Sequence, residues 1–397
     1  MKLAIVGGGG FRVPQILDVL SLPDAVFTVT EVALYDVSSE RLSAISHVIH
    51  ELYEDRPGLP TLTLTTNLRE ALEKADFVFS AMRVGGTCGR VRDERVALSH
   101  GIIGQETIGP GGQSYALRTL PEALRLARAV KKYAPDAWVI NFTNPAGIIT
   151  QGMRTILGNK VVGICDTPIG LIRKTCAILD ADPDEVVFDY VGLNHLGWLR
   201  TLEVNGVDEL PSLLGDPQKL DHIEEARILG FDWVKALGML PNEYLFYYYY
   251  GRESVSRILD ENLTRGEYLR DQQASFYENA LDRPAEAGQL WERNHNDREA
   301  TYMAESREVK DRDKRRREDL GGGYQEVALN IMAAIVNDLP ATMILNVANN
   351  DLPGGCLIPQ LRDDAVVEVP CTVDSQGIHP HQVGPVHGTE LGLITTV

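Results

Sequence analysis

The chain has 397 residues, 44% of them apolar and 24% charged, with 36 glycines and 20 prolines spread along its length. That is a globular composition, long enough for one large α/β unit or two closely joined ones. With 38 basic against 56 acidic residues the net charge is -18, which argues against nucleic acid or an anionic membrane as a bulk partner.

A small anion needs only a local arginine cluster, so an anionic metabolite stays open. No run approaches the ~18 apolar residues of a membrane span. MKLAIVGGGG lacks the apolar stretch and cleavage site of a signal peptide. The five cysteines (88, 165, 176, 356 and 371) are scattered and form no CxxC. A reducing, cytoplasmic setting without disulfides is the expectation.

In chain order, KLAIV (2–6) predicts a short strand that runs into Gly7-Gly8-Gly9-Gly10. PQILDVLSL follows with helical apolar spacing, its Pro14 acceptable in a first turn. TVTEVALYD reads as a second strand ending at Asp36, and SERLSAISHVIHELY as a helix. Strand TLTLTT, helix LREALEKA and strand FVFSA come next. A helix around 115–133, a strand at Trp138–Asn141 and another at Val161–Ile164 complete the series. This β-α-β alternation predicts a Rossmann-type, doubly wound parallel sheet. From about 183, VVFDYVGLNHLGWLRTLEVNG reads as antiparallel strands, followed by helices to about 340 and a strand-like tail AVVEVPCTVDSQGIHPH. The expected division is a nucleotide-binding domain over 1–182 and an α+β domain over 183–397. The charge run KDRDKRRRED (310–319) reads as a solvated helix face or loop.

Strand, glycines and helix N-terminus aim backbone N–H groups and a helix dipole at a phosphate. Asp36 lies where a Rossmann unit places its ribose-binding acid, so the pattern fits NAD rather than a 2′-phosphorylated dinucleotide. Gly7 and Gly9 match the first two glycines of G-x-G-x-x-G, and the third falls on Arg12.

Ligands of open α/β sheets lie at the carboxyl ends of the strands, and here those ends are polar. They carry Arg83, Asn141, Asn144, and the adjacent Cys165 and Asp166 of GICDTP. The stretch RVRDERVALSHGIIGQETIGPGG reads as a functional loop in which Arg90, Arg92, Arg95, Gln105 and Glu106 lie among glycines. GLNHLGW puts Asn194 and His195 in an otherwise apolar strand. Alone, His195 reads as a core histidine; with Cys165 it forms a thiolate–imidazole pair suited to Mn²⁺, Co²⁺ or Ni²⁺ with open positions for substrate.

Together GGGG, NFTNPAG, GICDTP, GLNHLGW, LPNEYLFYYYY, GGGYQEVALNIM and VVEVPC resemble glycoside hydrolase family 4, the NAD- and metal-dependent glycosidases. The resemblance covers nearly the whole chain. It implies a lactate/malate dehydrogenase-like architecture whose second domain serves substrate, metal and oligomerisation, as a homodimer or homotetramer. It assigns NAD to Gly7, Gly8, Gly9, Gly10, Phe11, Asp36 and Arg41, and the divalent metal to Cys165 and His195. It makes Tyr244 the catalytic base; by sequence alone Tyr244 merely precedes an aromatic run, Phe246 to Tyr250, that reads as packing. Asn144, Asn194, Glu106, Arg90, Arg92 and Arg12 are the implied substrate residues, with Arg95 a weaker one.

The implied chemistry is elimination: hydride leaves carbon 3 for NAD⁺, the metal polarises the ketone, and a tyrosinate removes the acidified carbon 2 proton. The aglycone departs, water adds, and the hydride returns. General resemblance points to a 6-phospho-β-glucosidase. The Cys165-Asp166 pair resembles the 6-phospho-α type, in which Asp166 would protonate the leaving oxygen. Many relatives carry Ser where this chain has Phe11-Arg12, so either Arg12 takes over the phosphate or the substrate is unphosphorylated. A competing class, an NAD-dependent 2-hydroxy acid dehydrogenase, would accumulate NADH and has no use for the Cys165–His195 pair.

Overall fold

The structure, a computed structural model, describes residues 1–22, 27–307, 315–316, 319 and 323–397. Six parallel strands form its first part: β1 (Lys2–Val6), β2 (Glu31–Tyr35), β3 (Thr61–Thr65), β4 (Phe77–Ser80), β5 (Trp138–Asn141) and β6 (Val161–Gly163). They are ordered β6-β5-β4-β1-β2-β3, the doubly wound arrangement in which the order reverses beside β1. Alternation along β1 shows why both faces are covered. Leu3 and Ile5 pack into one apolar cluster, with helices Val13–Leu20 and Ser39–Tyr53. Ala4 and Val6 pack into another, with helices Gly109–Tyr133 and Ala146–Leu157. A strand buried on both faces has to be apolar throughout, as β1 is after its first residue.

The sheet does not stop at β6. Asn346 of β11 (Ala341–Ala348) stands opposite Gly163, and β12 (Val366–Asp374) pairs antiparallel with β11. Beyond lie β7 (Val187–Leu193), β8 (Leu196–Val204) and β10 (Leu240–Pro241), with β9 (Val207–Asp208) on β8 and β13 (Gly377–Pro380) on β12. Among the described residues one 13-stranded sheet therefore crosses the boundary expected at 182. Among the described residues no helix is long and apolar enough to cross a membrane.

Three local expectations are corrected. Half of the stretch read as a loop is the helix Gly86–Ser99, and the following helix already begins at Gly109. The sequence concealed the first helix because its buried face is polar: Arg90, Asp93 and Glu94 turn inward and are paired, Arg90 with Glu94 and Asp93 with Arg118. Asn194-His195 is not strand interior but the two-residue turn between β7 and β8, with His195 at φ +65°. In the charge run, 310–314 and 317–318 lie outside the described residues. Arg316 is exposed, but Arg315 and Asp319 are not solvated: Arg315 Nη2 lies 2.7 Å from Glu224 and Asp319 is buried against Arg227.

Candidate active site

A cavity of about 1240 Å³ opens at the carboxyl ends of the parallel strands. Gly7, Gly10, Phe11, Arg12 and Arg41 line one end, and Cys165, Asp166, His195 and Tyr244 line its interior.

The glycine loop is shaped by its own bonds. Gly7 and Gly8 N–H both donate to Tyr35 O, at 2.9 and 2.7 Å, and Gly10 N–H to Gly7 O at 2.9 Å. At φ +95° Gly7 needs the freedom of glycine, and a Cβ there would lie 2.5 Å from Ala81 O. Asp36 follows β2 directly; its Oδ2 accepts from Gly9 N at 3.1 Å and its Oδ1 from Ser38 N at 3.1 Å. Among the described residues the N–H groups of Phe11 and Arg12 have no acceptor. They stand at the start of helix Val13–Leu20, where an anion is favoured. These features fit a dinucleotide phosphate. The Arg41 guanidinium lies 4.2 Å from the Tyr277 ring centroid and lines the same end. Gly8 and Gly9 instead pack against Leu34, Arg41 and Asp36.

Cys165 sits just past β6, buried, with Sγ 3.4 Å from Thr167 Oγ1; burial pushes its thiol well up. His195 is held by the β7–β8 turn, its ring stacked on Tyr244 with centroids 3.7 Å apart. Its Nδ1 lies 2.9 Å from Thr107 Oγ1, whose hydroxyl donates to Gln105 Oε1 at 2.9 Å. With that one hydroxyl proton committed, Nδ1–H must donate to Thr107, which leaves Nε2 as a free lone pair. Burial lowers the His195 pKa to about 4, so the ring is neutral at pH 7. A neutral imidazole with a positioned second nitrogen and a thiol suit a divalent cation. Among the described residues no three His, Cys, Asp or Glu side chains converge, so substrate oxygens would complete the shell.

Tyr244, raised well above an ordinary phenol by burial and then by Glu243, meets Tyr302 Oη at 3.0 Å. Tyr302 donates to Glu243 Oε1 at 2.6 Å, and burial lifts that carboxyl to about 8. Asp166 Oδ2 lies 3.7 Å from Arg12. Asn144, preceding the cis Pro145, lines the cavity while its Oδ1 accepts from Ala146 N at 3.3 Å.

The implied arginines separate. Arg92 is exposed and outside the cavity, because two helical residues beyond inward-facing Arg90 a side chain points away. Arg95 is likewise turned to Glu267. Arg90 lines the cavity but is held between Glu94 and Glu106, and Glu106 also pairs with Arg83. Burial disfavours the Glu106 charge, yet Arg83 and Arg90 keep its carboxyl below the usual range. Asn194 does not reach the cavity: its Nδ2 donates inward to Glu368 at 3.2 Å. The arginine that stands ready is Arg298, half-buried, with its buried Nη1 unpartnered among the described residues and its guanidinium 4.6 Å from the Phe11 ring centroid. Burial, with Arg12, Arg265 and Arg83 nearby, lowers its pKa to about 9. Nothing flanking Arg265, Arg298 or Tyr302 forms a motif, and only the folded chain brings them to the cavity; Glu243 and Thr107 lie inside stretches singled out above, where nothing marked them individually.

Glycine loop, strand-end cavity and sheet order define a Rossmann-type α/β enzyme class. A model described as "Family 4 glycosyl hydrolase" matches residues 2–181, and that of its C-terminal domain matches 190–397. The chain belongs to glycosyl hydrolase family 4. The probable 6-phospho-beta-glucosidase of Bacillus subtilis (strain 168) is 30% identical over 411 residues, 100% of this chain and 86% of that protein. The 6-phospho-alpha-glucosidase 1 of Lacticaseibacillus paracasei is 31% identical over 415 residues, 99% and 86% of the two chains. The Thermotoga maritima 6-phospho-beta glucosidase, solved with manganese, NAD⁺ and glucose-6-phosphate, superposes with TM-score 0.79 at 26% identity, covering 100% of this chain and 86% of that one. Eimeria maxima lactate dehydrogenase shares the fold alone, at TM-score 0.54 and 14% identity over 100% and 90% of the chains.

Proposed function

We propose that this protein is an NAD- and manganese-dependent glycosidase acting on 6-phosphoglucosides. The observation that carries the reading is one cavity shared by the glycine loop, Cys165, His195, Tyr244 and Arg298, whose Nη1 has no partner among the described residues. The named family relatives and the ligands of the T. maritima structure support it. NAD, when bound, accepts and returns a hydride, and a divalent cation on Cys165 and His195 polarises sugar oxygens.

The chain's own residues do the rest. Tyr244 Oη would take the substrate's carbon 2 proton once its own phenol proton has left, a loss that burial and Glu243 oppose and that a cation on Cys165 and the stacked His195 would favour. Its bond to Tyr302, and through it to Glu243, gives that proton a hydrogen-bonded route away from the sugar. Arg298, with Arg12, receives the 6-phosphate, and Asn144 holds sugar hydroxyls. Residues 1–182 serve the nucleotide and lend Arg12, Asn144, Cys165 and Asp166 to the substrate and metal, while 183–397 supply the remaining substrate residues and the oligomer contact, in a cytoplasmic homodimer or homotetramer.

The β anomer is the leading substrate. Asp166, beside Cys165 in the cavity, favours the α anomer as the second reading. Nitrophenyl 6-phospho-α- and β-glucosides, assayed with NAD⁺ and with Mn²⁺ present or chelated, test both. Turnover of one anomer that stops on chelation, without NADH accumulating, is expected. Turnover of only the unphosphorylated glucosides would remove the phosphate claim, and net NADH would restore the dehydrogenase reading.

A further inference from the structure

The glycine loop is tied from a distance. Of its backbone carbonyls, those of Gly7 and Gly10 are taken by the loop itself, by Gly10 N–H and Val13 N–H. Those of Gly9, Phe11 and Arg12 each receive a side-chain donor from the second half of the chain, Gly9 O also accepting from Arg41 Nε at 3.4 Å and Arg12 O from Gln15 N–H at 3.2 Å. Tyr277 O–H donates to Gly9 O at 2.7 Å, Trp291 Nε1–H to Phe11 O at 2.7 Å, and Tyr324 O–H to Arg12 O at 2.6 Å. The donors lie 268, 280 and 312 residues further on and sit on three separate helices, Arg265–Asp282, Ala287–Ala300 and Tyr324–Asn337. The Phe11 ring is clamped as well, edge-on to Phe276 at 5.0 Å and tilted on Trp291 at 6.0 Å.

A run of four glycines has more conformational freedom to lose than any other sequence, so its bound shape is costly to hold. Donors that fix three carbonyls of the loop, one of them the cavity-lining Tyr324, also fix the orientation of the peptide units between them. The unpartnered N–H groups of Phe11 and Arg12 belong to those units. We propose that Tyr277, Trp291 and Tyr324 are positioning residues for the dinucleotide, holding the glycine loop in its binding-competent shape from the second half of the chain. The inference rests on the NAD reading above and deepens it. Without a tether the loop spends less time in that shape, and apparent affinity falls by the same fraction.

The test is NAD⁺ titration by calorimetry on the wild type, Tyr277→Phe, Tyr324→Phe and the control Tyr250→Phe. Tyr250 makes the same kind of bond, O–H to Leu229 O at 2.7 Å, but lies outside the cavity lining. Each loop variant is expected to bind NAD⁺ ~3- to 10-fold more weakly, the effect of one lost hydrogen bond. Tyr250→Phe should keep wild-type affinity while losing comparable thermal stability. Wild-type affinity in both loop variants, or equal weakening in the control, overturns the tether. A wild type that binds no NAD⁺ overturns the cofactor reading and the tether with it.

Discussion

Arg298 is the residue that most separates a bound phosphate from a bound hydroxyl. Its Nη1 is buried and has no partner among the described residues, and the guanidinium is near Arg12, Arg265 and Arg83, with Glu299 the charge opposing these three. An unpaired buried donor in a cationic setting is relieved by an anion and by little else. Arg298→Ala should raise KM for the 6-phosphorylated glucoside ~10- to 100-fold, the worth of a charged hydrogen bond. The KM of an unphosphorylated analogue should hardly move, and equal effects on both would take the phosphate away from Arg298. Arg90 and Arg92 carried the same expectation from sequence because both lie in one arginine-rich stretch. Helix geometry turned Arg92 outward, and Glu94 and Glu106 neutralised Arg90.

At the scale of elements, the β7–β8 hairpin decides where His195 points. The turn is only two residues long, and Gly192 allows the strands to close beside it. A Cβ on Gly192 would lie 2.2 Å from Leu196 O and 2.4 Å from Gly197 Cα, and both are backbone atoms that cannot step aside. Gly192→Ala should therefore destabilise the fold by more than ~2 kcal/mol, read as a shift in the denaturant midpoint. Among molecules that still fold it should also lower Mn²⁺ affinity, because the turn carries the imidazole. Wild-type stability and metal affinity in this variant would show that the hairpin opens without consequence. Helix Gly86–Ser99 teaches the complementary lesson, that a helix can bury charge instead of apolar side chains when each charge meets a partner.

For the whole molecule, two buried carboxyls make stability depend on pH. Glu368, fully buried on β12, accepts from Asn346 at 2.9 Å, Asn194 at 3.2 Å and Tyr190 at 3.3 Å, yet burial still raises its pKa to about 7. Glu243 is raised to about 8. Each folded value lies above the unfolded 4.5, so neither group costs stability below that pH. As pH rises from there the unfolded chain loses the protons while the native state keeps them, and stability falls until the folded pKa is passed. Glu368 alone accounts for on the order of 3 kcal/mol of that fall. Denaturant midpoints at pH 5 and pH 8 should drop less in Glu368→Gln, whose amide keeps an acceptor for both asparagines. An identical drop in wild type and variant would show that Glu368 does not hold its proton.

The amino-acid sequence by itself determined the parallel half of the sheet, because two-sided burial forces apolar strands and β-α-β connections leave a strong periodic signal. It also marked the glycine loop, Asp36 and Cys165, since these follow directly from strand ends, and paired His195 with Cys165 by residue type, while the turn that carries His195 came from the structure. Tyr244 came only from resemblance. The antiparallel extension that joins β11 to β6 needed the tertiary structure, as did the polar helix Gly86–Ser99. So did Arg298, the Tyr244–Tyr302–Glu243 chain and the tethers on the glycine loop. Each of these depends on partners dozens to hundreds of residues apart, and a local pattern cannot encode a contact whose other half lies on a different element.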